Sequence, residues 1–298
     1  MKKIIILSFA LALNTVVFAS NISDKSGTTG FAFLKIAQGA KAMALGDSFC
    51  GLADDVNALY WNPAGIANLN TRQATAGHTL WLDSISRSYV AYTFQNEKFG
   101  AFGLNVGVLS VPGIEGRIAE TDAAYDSLTV NSNSVELGWG KKIFSKTAFG
   151  AGVKFAYENL GNTSVSGGAL DIGALHEISE TASLGLSLQN IGGQDFPMLL
   201  RLGASKRMMQ DKLMLLGEYY NGLVDQTSSL SVGGEYKANN ILYPRLGVKY
   251  GLSNVSADAP ISVSVGFGLV FNKYQFDYGY KVYEDFGGIH QLDFLVKF

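Results

Sequence analysis

The sequence predicts an all-β fold, a transmembrane antiparallel β-barrel of about fourteen strands. Three observations carry that expectation: apolar and polar residues alternate with a period of two along most of the chain, mean hydropathy is positive without a run long enough to cross a membrane as a helix, and short connections alternate with longer ones. The stretch 289–298 shows the pattern. Leu292, Phe294, Val296 and Phe298 fall on one side of the ribbon and Gln291, Asp293 and Lys297 on the other, with only Leu295 out of register. In 274–283 the odd face is Gln275, Asp277, Gly279 and Lys281, against Tyr274, Phe276, Tyr278, Tyr280 and Val282.

Alternation alone fits two architectures. In a soluble sandwich the apolar face is the core and the polar face meets water; in a membrane barrel the apolar face meets lipid and the polar face lines the lumen. Composition favours the barrel. Only 16% of residues are charged, 35 of the 298 are glycine, and mean hydropathy is +0.15. Spreading apolar residues over alternate strand positions reconciles that hydropathy with the lack of a second long apolar run.

Residues 1–19 read as a secretory signal: Lys2 and Lys3, then an apolar run from Ile4 to Leu13, then Val17-Phe18-Ala19. The run is shorter than the roughly 20 apolar residues of a spanning helix, so a mature start near Ser20 is expected. The net charge of −2 and the lack of a Lys/Arg run leave no basic patch for nucleic acid. Cys50 is the only cysteine, which rules out an internal disulfide framework.

From residue 72 onward the chain reads as strand after strand, forming the barrel unit 72–298. The first seven candidates are 72–82, 87–95, 99–111, 132–143, 147–158, 168–178 and 182–191. The second seven are 198–208, 212–221, 229–237, 243–252, 261–271, 274–283 and 289–298. Each is close to the roughly 9 to 11 residues of a tilted spanning strand. Links after even-numbered candidates are short, such as Asn96-Glu97-Lys98 and Asn272-Lys273, while links after odd-numbered ones are mostly longer, with 112–131 the longest. That asymmetry belongs to outer-membrane barrels, and the even strand count places both termini on the periplasmic side.

Pro112, Pro197, Pro244 and Pro260 sit at or beyond strand ends, where a missing amide donor does little harm. Gly150, Gly152, Gly266 and Gly268 fall on the polar face, where they relieve crowding if the wall curves or a plug approaches. Faces are clearest where Val135, Leu137 and Trp139 oppose Glu136, and where Phe149, Val153, Phe155 and Tyr157 oppose Lys154 and Glu158. Around Leu199-Leu200 and Met214-Leu215-Leu216 the chain is apolar on both faces. Leu199, Met214 and Leu216 are therefore either a candidate apolar lumen patch for a hydrophobic ligand or residues packed against material inside the barrel.

The region before residue 72 differs. Residues 31–49 are alanine-rich with apolar spacings of three and four, predicting a short helix or two interrupted by Gly39 and Gly46. Residues 54–61 predict a second helix, capped by an aspartate and stopped at Asn62-Pro63. The ordered elements Gly39-Ala40, Gly46, Asp54-Asp55 and Tyr60-Trp61-Asn62-Pro63-Ala64-Gly65 resemble the N-terminal signature of the PorV/PorQ family. A weaker echo spans 123–128, and the rest of the chain resembles that family only in pattern.

PorV/PorQ proteins are FadL-like outer-membrane barrels, so the resemblance implies that residues 20–71 fold back into the lumen as a helical hatch. An arm outside the barrel remains the alternative. The resemblance also implies a non-enzymatic role as a partner in type IX secretion, contacting exported cargo or secretion subunits. The wider FadL-like fold implies instead a passive channel for hydrophobic compounds, with Gly107 and Pro112 as a candidate wall opening. The charged residues Glu115, Arg117, Glu120, Asp122 and Asp126 would rim the longest loop.

Catalytic and cofactor signatures are absent. His78, His176 and His290 lack ligand spacing and fit lumen or girdle positions; Asp47, Asp54 and Asp55 do not match a calcium loop; no nucleophile elbow or phosphate loop occurs. No cofactor or metal is expected, and the expected partners are outer-membrane lipid and either secretion components or a hydrophobic small molecule.

Overall fold

The computed structural model describes residues 29–116, 126–161, 163–193, 195–253, 261–283 and 287–298. The expected signal segment, residues 117–125 of the expected charged rim, and Pro260 lie outside them, as do the side chains of Glu115 and Asp126.

Fourteen strands follow in chain order, each at or near its expected place. They are β1 (Gln73–Leu80), β2 (Ser86–Asn96), β3 (Gly100–Gly116), β4 (Asp126–Phe144), β5 (Thr147–Leu160), β6 (Ser164–Ser179) and β7 (Ala182–Gly192). The second half comprises β8 (Leu199–Met208), β9 (Leu213–Gly222), β10 (Thr227–Tyr236), β11 (Leu242–Gly251), β12 (Ile261–Phe271), β13 (Tyr274–Tyr283) and β14 (Gly287–Lys297). Every strand is antiparallel to its sequence neighbour, and the ring closes because Gln73 on β1 faces both Thr93 on β2 and Lys297 on β14. Closure leaves no unpaired edge, which makes the architecture viable in lipid.

The expected long loop 112–131 is mostly continued ladder. Beyond a bulge at Pro112-Gly113, Ile114, Glu115 and Gly116 pair with Leu128, Ser127 and Asp126. Proline and a glycine at φ 73° read as loop signals, but a bulge absorbs both without ending the hairpin. Pro244 likewise lies within β11, near its start, opposite Phe267.

The pleat sorts the side chains as the alternation predicts. Val153 is 61% exposed on the outside while Lys154, next to it, is 3% exposed; Leu137 at 60% contrasts with Glu136 at 1%. A band of large apolar side chains covers the exterior, including Val90, Leu104, Phe155, Leu246 and Phe294. The buried charged and polar groups point inward.

Residues 29–71 fill the interior. Their regular elements are brief: 3-10 turns at Ala32–Lys35 and Pro63–Asn68, and helices at Ala40–Ala44 and Ala58–Trp61. The helix expected over 54–61 is thus only its last turn, and Asp54 caps nothing. Asp55 accepts instead from the Asn57 amide at 2.8 Å, an Asx turn that bends the chain just before the helix. Backbone at positive φ in Gly39, Gly46, Asp47 and Ala53 interrupts the helical path, and several amide donors of the segment are taken by the wall. Phe49 and Cys50 donate to Glu218, Ala40 to Asp293, Val56 to Gln73 and Gly46 to Ser264.

Candidate functional site

The inner segment is seated backbone against backbone. A Cβ on Gly247 of β11 would overlap the Gly46 amide, and one on Gly185 of β7 would overlap the Cys50 carbonyl. Gly150 and Gly266, expected to relieve crowding, likewise face the segment at Ala64 and Ala44, whereas Gly152 and Gly268 make room for charged side chains of adjacent strands. Contacts of this kind, with side-chain hydrogen bonds, join residues 29–71 to inward positions of all fourteen strands.

Around it runs a belt of inward polar side chains. Arg201 of β8 donates to Glu218 of β9 at 2.8 Å and to Gln189 of β7 at 2.9 Å, while the Gln189 amide donates to the carbonyls of Tyr60 and Trp61. Lys154 of β5 bridges Asp171 and Asn190 at 2.9 and 2.8 Å. The Asn190 amide in turn donates to Asp171 at 2.7 Å, stabilising a bulge where the ladder slips and Asn190 takes a φ of 55°. On the far side Gln38 exchanges hydrogen bonds with Asn105 and receives one from Arg87.

Tyr60 and Trp61 are the hub of this belt. Their rings meet edge-on, with centroids 5.6 Å apart. Arg201 lies 4.4 Å from the Trp61 centroid, and Arg87 and Lys154 lie 5.3 and 5.8 Å from that of Tyr60. Desolvated cations over aromatic faces are worth more than exposed ones. The Tyr60 hydroxyl donates toward the carbonyls of Leu34 and Ile36, both at 2.7 Å, and the Trp61 indole donates to Gln38 at 2.7 Å.

Two further ion clusters anchor the segment. Asp47, in a left-handed turn at φ 64°, receives Lys281 at 2.7 Å and Lys249 at 3.1 Å. Burial would raise its carboxyl pKa, but the two ammonium groups outweigh that and hold it well below the usual carboxylate range. Lys41 is similar: burial would lower it, yet Asp54, Glu235 and Asp55 together keep it above an ordinary lysine.

Towards the end of the barrel with the longer hairpins the filling becomes apolar. Phe31, Phe33 and Leu34 pack with Leu109, Ala156, Ala169 and Phe196, and the Phe31 and Phe196 rings stack at 4.5 Å. Polar ties fasten this arm: Lys35 and Thr29 both bind Asp225, and the Phe31 amide donates to Glu158 at 2.8 Å. At the opposite end, among the short turns, a cavity of about 300 Å³ lies between the segment and β6 to β9, lined by Leu52, Asp54, Leu175, Ser183, Arg207 and Met214 among others.

The residues singled out from sequence are placed as follows. Gly39 opens the first helix at φ 96°, Ala40 is buried against Asp293, Gly46 turns at φ 71°, and Asp54 pairs with Lys41 at 2.8 Å. Asn62 donates to Cys50 and Ala174 and caps the Pro63 turn through the Ala64 amide, while Gly65 leaves room for Ala53. Leu199, Met214 and Leu216 do not form one patch. Leu199 pairs with Gly222 and Leu216 with Ser205, six residues apart on β8, with the Arg201–Glu218 pair between them.

Gly107 is no wall opening: it pairs with both Tyr89 and Ser134 in unbroken ladders, and Pro112 lies beyond the reach of β2. His78, His176 and His290 face outward, each bonded to a neighbouring Ser, Thr or Tyr, so none lines the lumen. Among the described residues no group of three His, Cys, Asp or Glu could hold a metal ion. Sequence reasoning passed over Gln38, Glu158, Gln189, Arg201, Glu218 and Asp225 as anchors. Alternation marks those on strands as inward, but nothing local says which part of the segment each one meets.

Comparison with known proteins follows the geometry. The profile of an uncharacterised protein family, UPF0164, matches residues 10–124. No curated protein matches. The chain is similar to the Pseudomonas putida toluene transporter TodX, with 14% identity and a TM-score of 0.66 over 88% of this chain and 97% of that one. It is similar to the Ralstonia pickettii toluene transporter TbuX at 13% identity and a TM-score of 0.62, over 88% and 97% of the two chains. A Pseudomonas aeruginosa FadL homologue aligns at 12% identity and a TM-score of 0.58, over 84% and 96%. At such identities the likeness is one of fold. It bears out the FadL-like barrel implied by the sequence resemblance, and it lends nothing to PorV/PorQ membership or to a secretion role. The chain has the fold of a FadL-type barrel, closed around its own N-terminal region.

Proposed function

We propose that this chain is an outer-membrane channel, not an enzyme, that lets a small hydrophobic compound cross passively, with residues 20–71 as its plug. The observation that carries the reading is the apolar arm of Phe31, Phe33 and Leu34 stacked against Phe196 at the long-hairpin end of a polar lumen. That cluster is closed in this structure, with Phe31, Phe33, Leu34 and Phe196 each 5% exposed or less, so an apolar solute would gain about 25 cal/mol for each Å² it buries there only by taking the place of the arm, and a polar one would gain nothing. The shared fold with two toluene transporters supports the same class of cargo. No residue described here favours a secretion partner over a small molecule.

The test is uptake of labelled toluene and of a long-chain fatty acid into outer-membrane vesicles with and without the protein. A several-fold faster entry of at least one compound is expected, altered when Phe31 and Phe196 are both replaced by alanine. Entry rates identical to protein-free vesicles for both compounds would refute the channel.

A further inference from the structure

An even number of strands puts the start of β1 and the end of β14 on the same side, yet the inner segment runs the height of the barrel before β1 begins. Its first described residues sit among the connections at the long-hairpin end. The Thr29 hydroxyl donates to Asp225 at 2.9 Å, in the link between β9 and β10. A Cβ on Gly30 would come within 3.3 Å of the Asp195 side chain, in the link between β7 and β8. The Phe31 amide meets Glu158 at 2.8 Å, close to the outer end of β5.

From there the chain descends. Gln38 donates to Asn105 at 3.2 Å, halfway along β3; Gly51 accepts from Ser183 at 2.6 Å, beside the start of β7; and Val56 donates at 3.0 Å to Gln73, the first residue of β1. Below Thr29 the lumen is taken up by the segment itself, whose backbone at Gly46 and Cys50 leaves no space for a Cβ on Gly247 or Gly185. A second pass of chain needs about 5 Å of clearance, which such packing does not leave. Whatever precedes Thr29 therefore continues away from the barrel at its mouth. Residues 20–28, Ser-Asn-Ile-Ser-Asp-Lys-Ser-Gly-Thr, have Ile22 as their one apolar side chain, a composition suited to water and not to lipid.

We propose that the plug is threaded from the outer mouth to the inner rim, so that the tail of residues 20–28 is displayed on the cell exterior, within reach of soluble proteins there. The tail and the end of β14 then lie on opposite sides of the membrane. A protein that grips the tail acts within a few residues of the Phe31–Phe196 stack, which makes the tail the place where an exterior partner bears on the plug. The inference rests on the barrel lying in an outer membrane with its long hairpins outside, and not on what it transports.

Cysteines are placed one at a time in the full chain and expressed in the outer membrane: Ser26→Cys in the tail, Ser164→Cys at the exposed outer start of β6, and Ser145→Cys in the short turn between β4 and β5. A membrane-impermeant maleimide is added to intact cells or to lysed ones, and the unaltered chain, whose Cys50 is buried, sets the baseline. Heat-modifiable gel mobility reports folding, and intact mass shows that residue 26 is retained. On intact cells Ser26→Cys is expected to label as fully as Ser164→Cys and several-fold above Ser145→Cys, with lysis raising Ser145→Cys alone. Labelling of Ser26→Cys only after lysis overturns the proposal, as does a folded Ser26→Cys chain that labels in neither state. Exterior labelling in a protein that fails to accelerate uptake supports the threading and refutes the channel.

Discussion

Arg201 and Glu218 face each other at 2.8 Å on adjacent strands, with side chains 4% and 1% exposed, and together they hold the middle of the inner segment. Glu218 accepts the amides of Phe49 and Cys50, and Arg201 covers Trp61. One ion pair therefore ties wall to filling on both sides of the Cys50 turn.

Breaking that pair from one side leaves a buried charge unmatched. Glu218→Ala is expected to destabilise the barrel by about 3 to 5 kcal/mol, whereas the double change R201M/E218L removes both charges and costs much less. Urea unfolding in lipid vesicles measures both. A double variant as damaged as the single one would show that the amide contacts, not the ion pair, dominate.

The glycine seat gives a second expectation. Gly247→Ala places a methyl group on the Gly46 amide and is expected to cost about 1 to 3 kcal/mol and to expose residues 29–71 to protease. Gly217→Ala, whose added carbon would find only the Ser231 carbonyl at 3.9 Å, is expected to change stability by less than about 0.5 kcal/mol. Equal protease sensitivity of the two variants would argue against a tight seat.

Asp47 makes stability depend on acid. Its folded pKa is held down by Lys281 and Lys249, so its contribution is present above the unfolded aspartate value of about 3.9 and is lost as pH falls below that towards its folded value. The wild type is expected to lose more stability than Asp47→Asn between pH 6 and pH 3, after both are measured in the same detergent. Parallel losses would place the acid sensitivity elsewhere.

The exterior offers a test of its solvent. Val153→Arg puts a cation on the outer face and is expected to cost about 2 to 4 kcal/mol in a bilayer, although the same change on a water-exposed strand would be near neutral. Folding yield into vesicles, compared with Val153→Leu, distinguishes the two cases.

Strand number and facing were legible because they depend on the pleat, a local property repeated every two residues. Val153 against Lys154, or Leu137 against Glu136, can be assigned with no knowledge of what lies across the ring. The extent of the hairpins was less legible. Pro112 and Gly113 carry the same local signal whether they end a ladder or bulge within it, and only the partners Leu128 and Ser127 on β4 decide.

The amino-acid order by itself determined a ring of about fourteen amphipathic strands and a distinct, small-residue segment ahead of them. What only the tertiary structure decided is how the two fit: that Glu218 takes the amides of Phe49 and Cys50 almost 170 residues away, that Gly247 admits Gly46, and that Leu199 and Leu216 lie on either side of an ion pair. Period and composition act between neighbours along the chain, whereas those contacts are set by which side chains the closed wall brings to the same height.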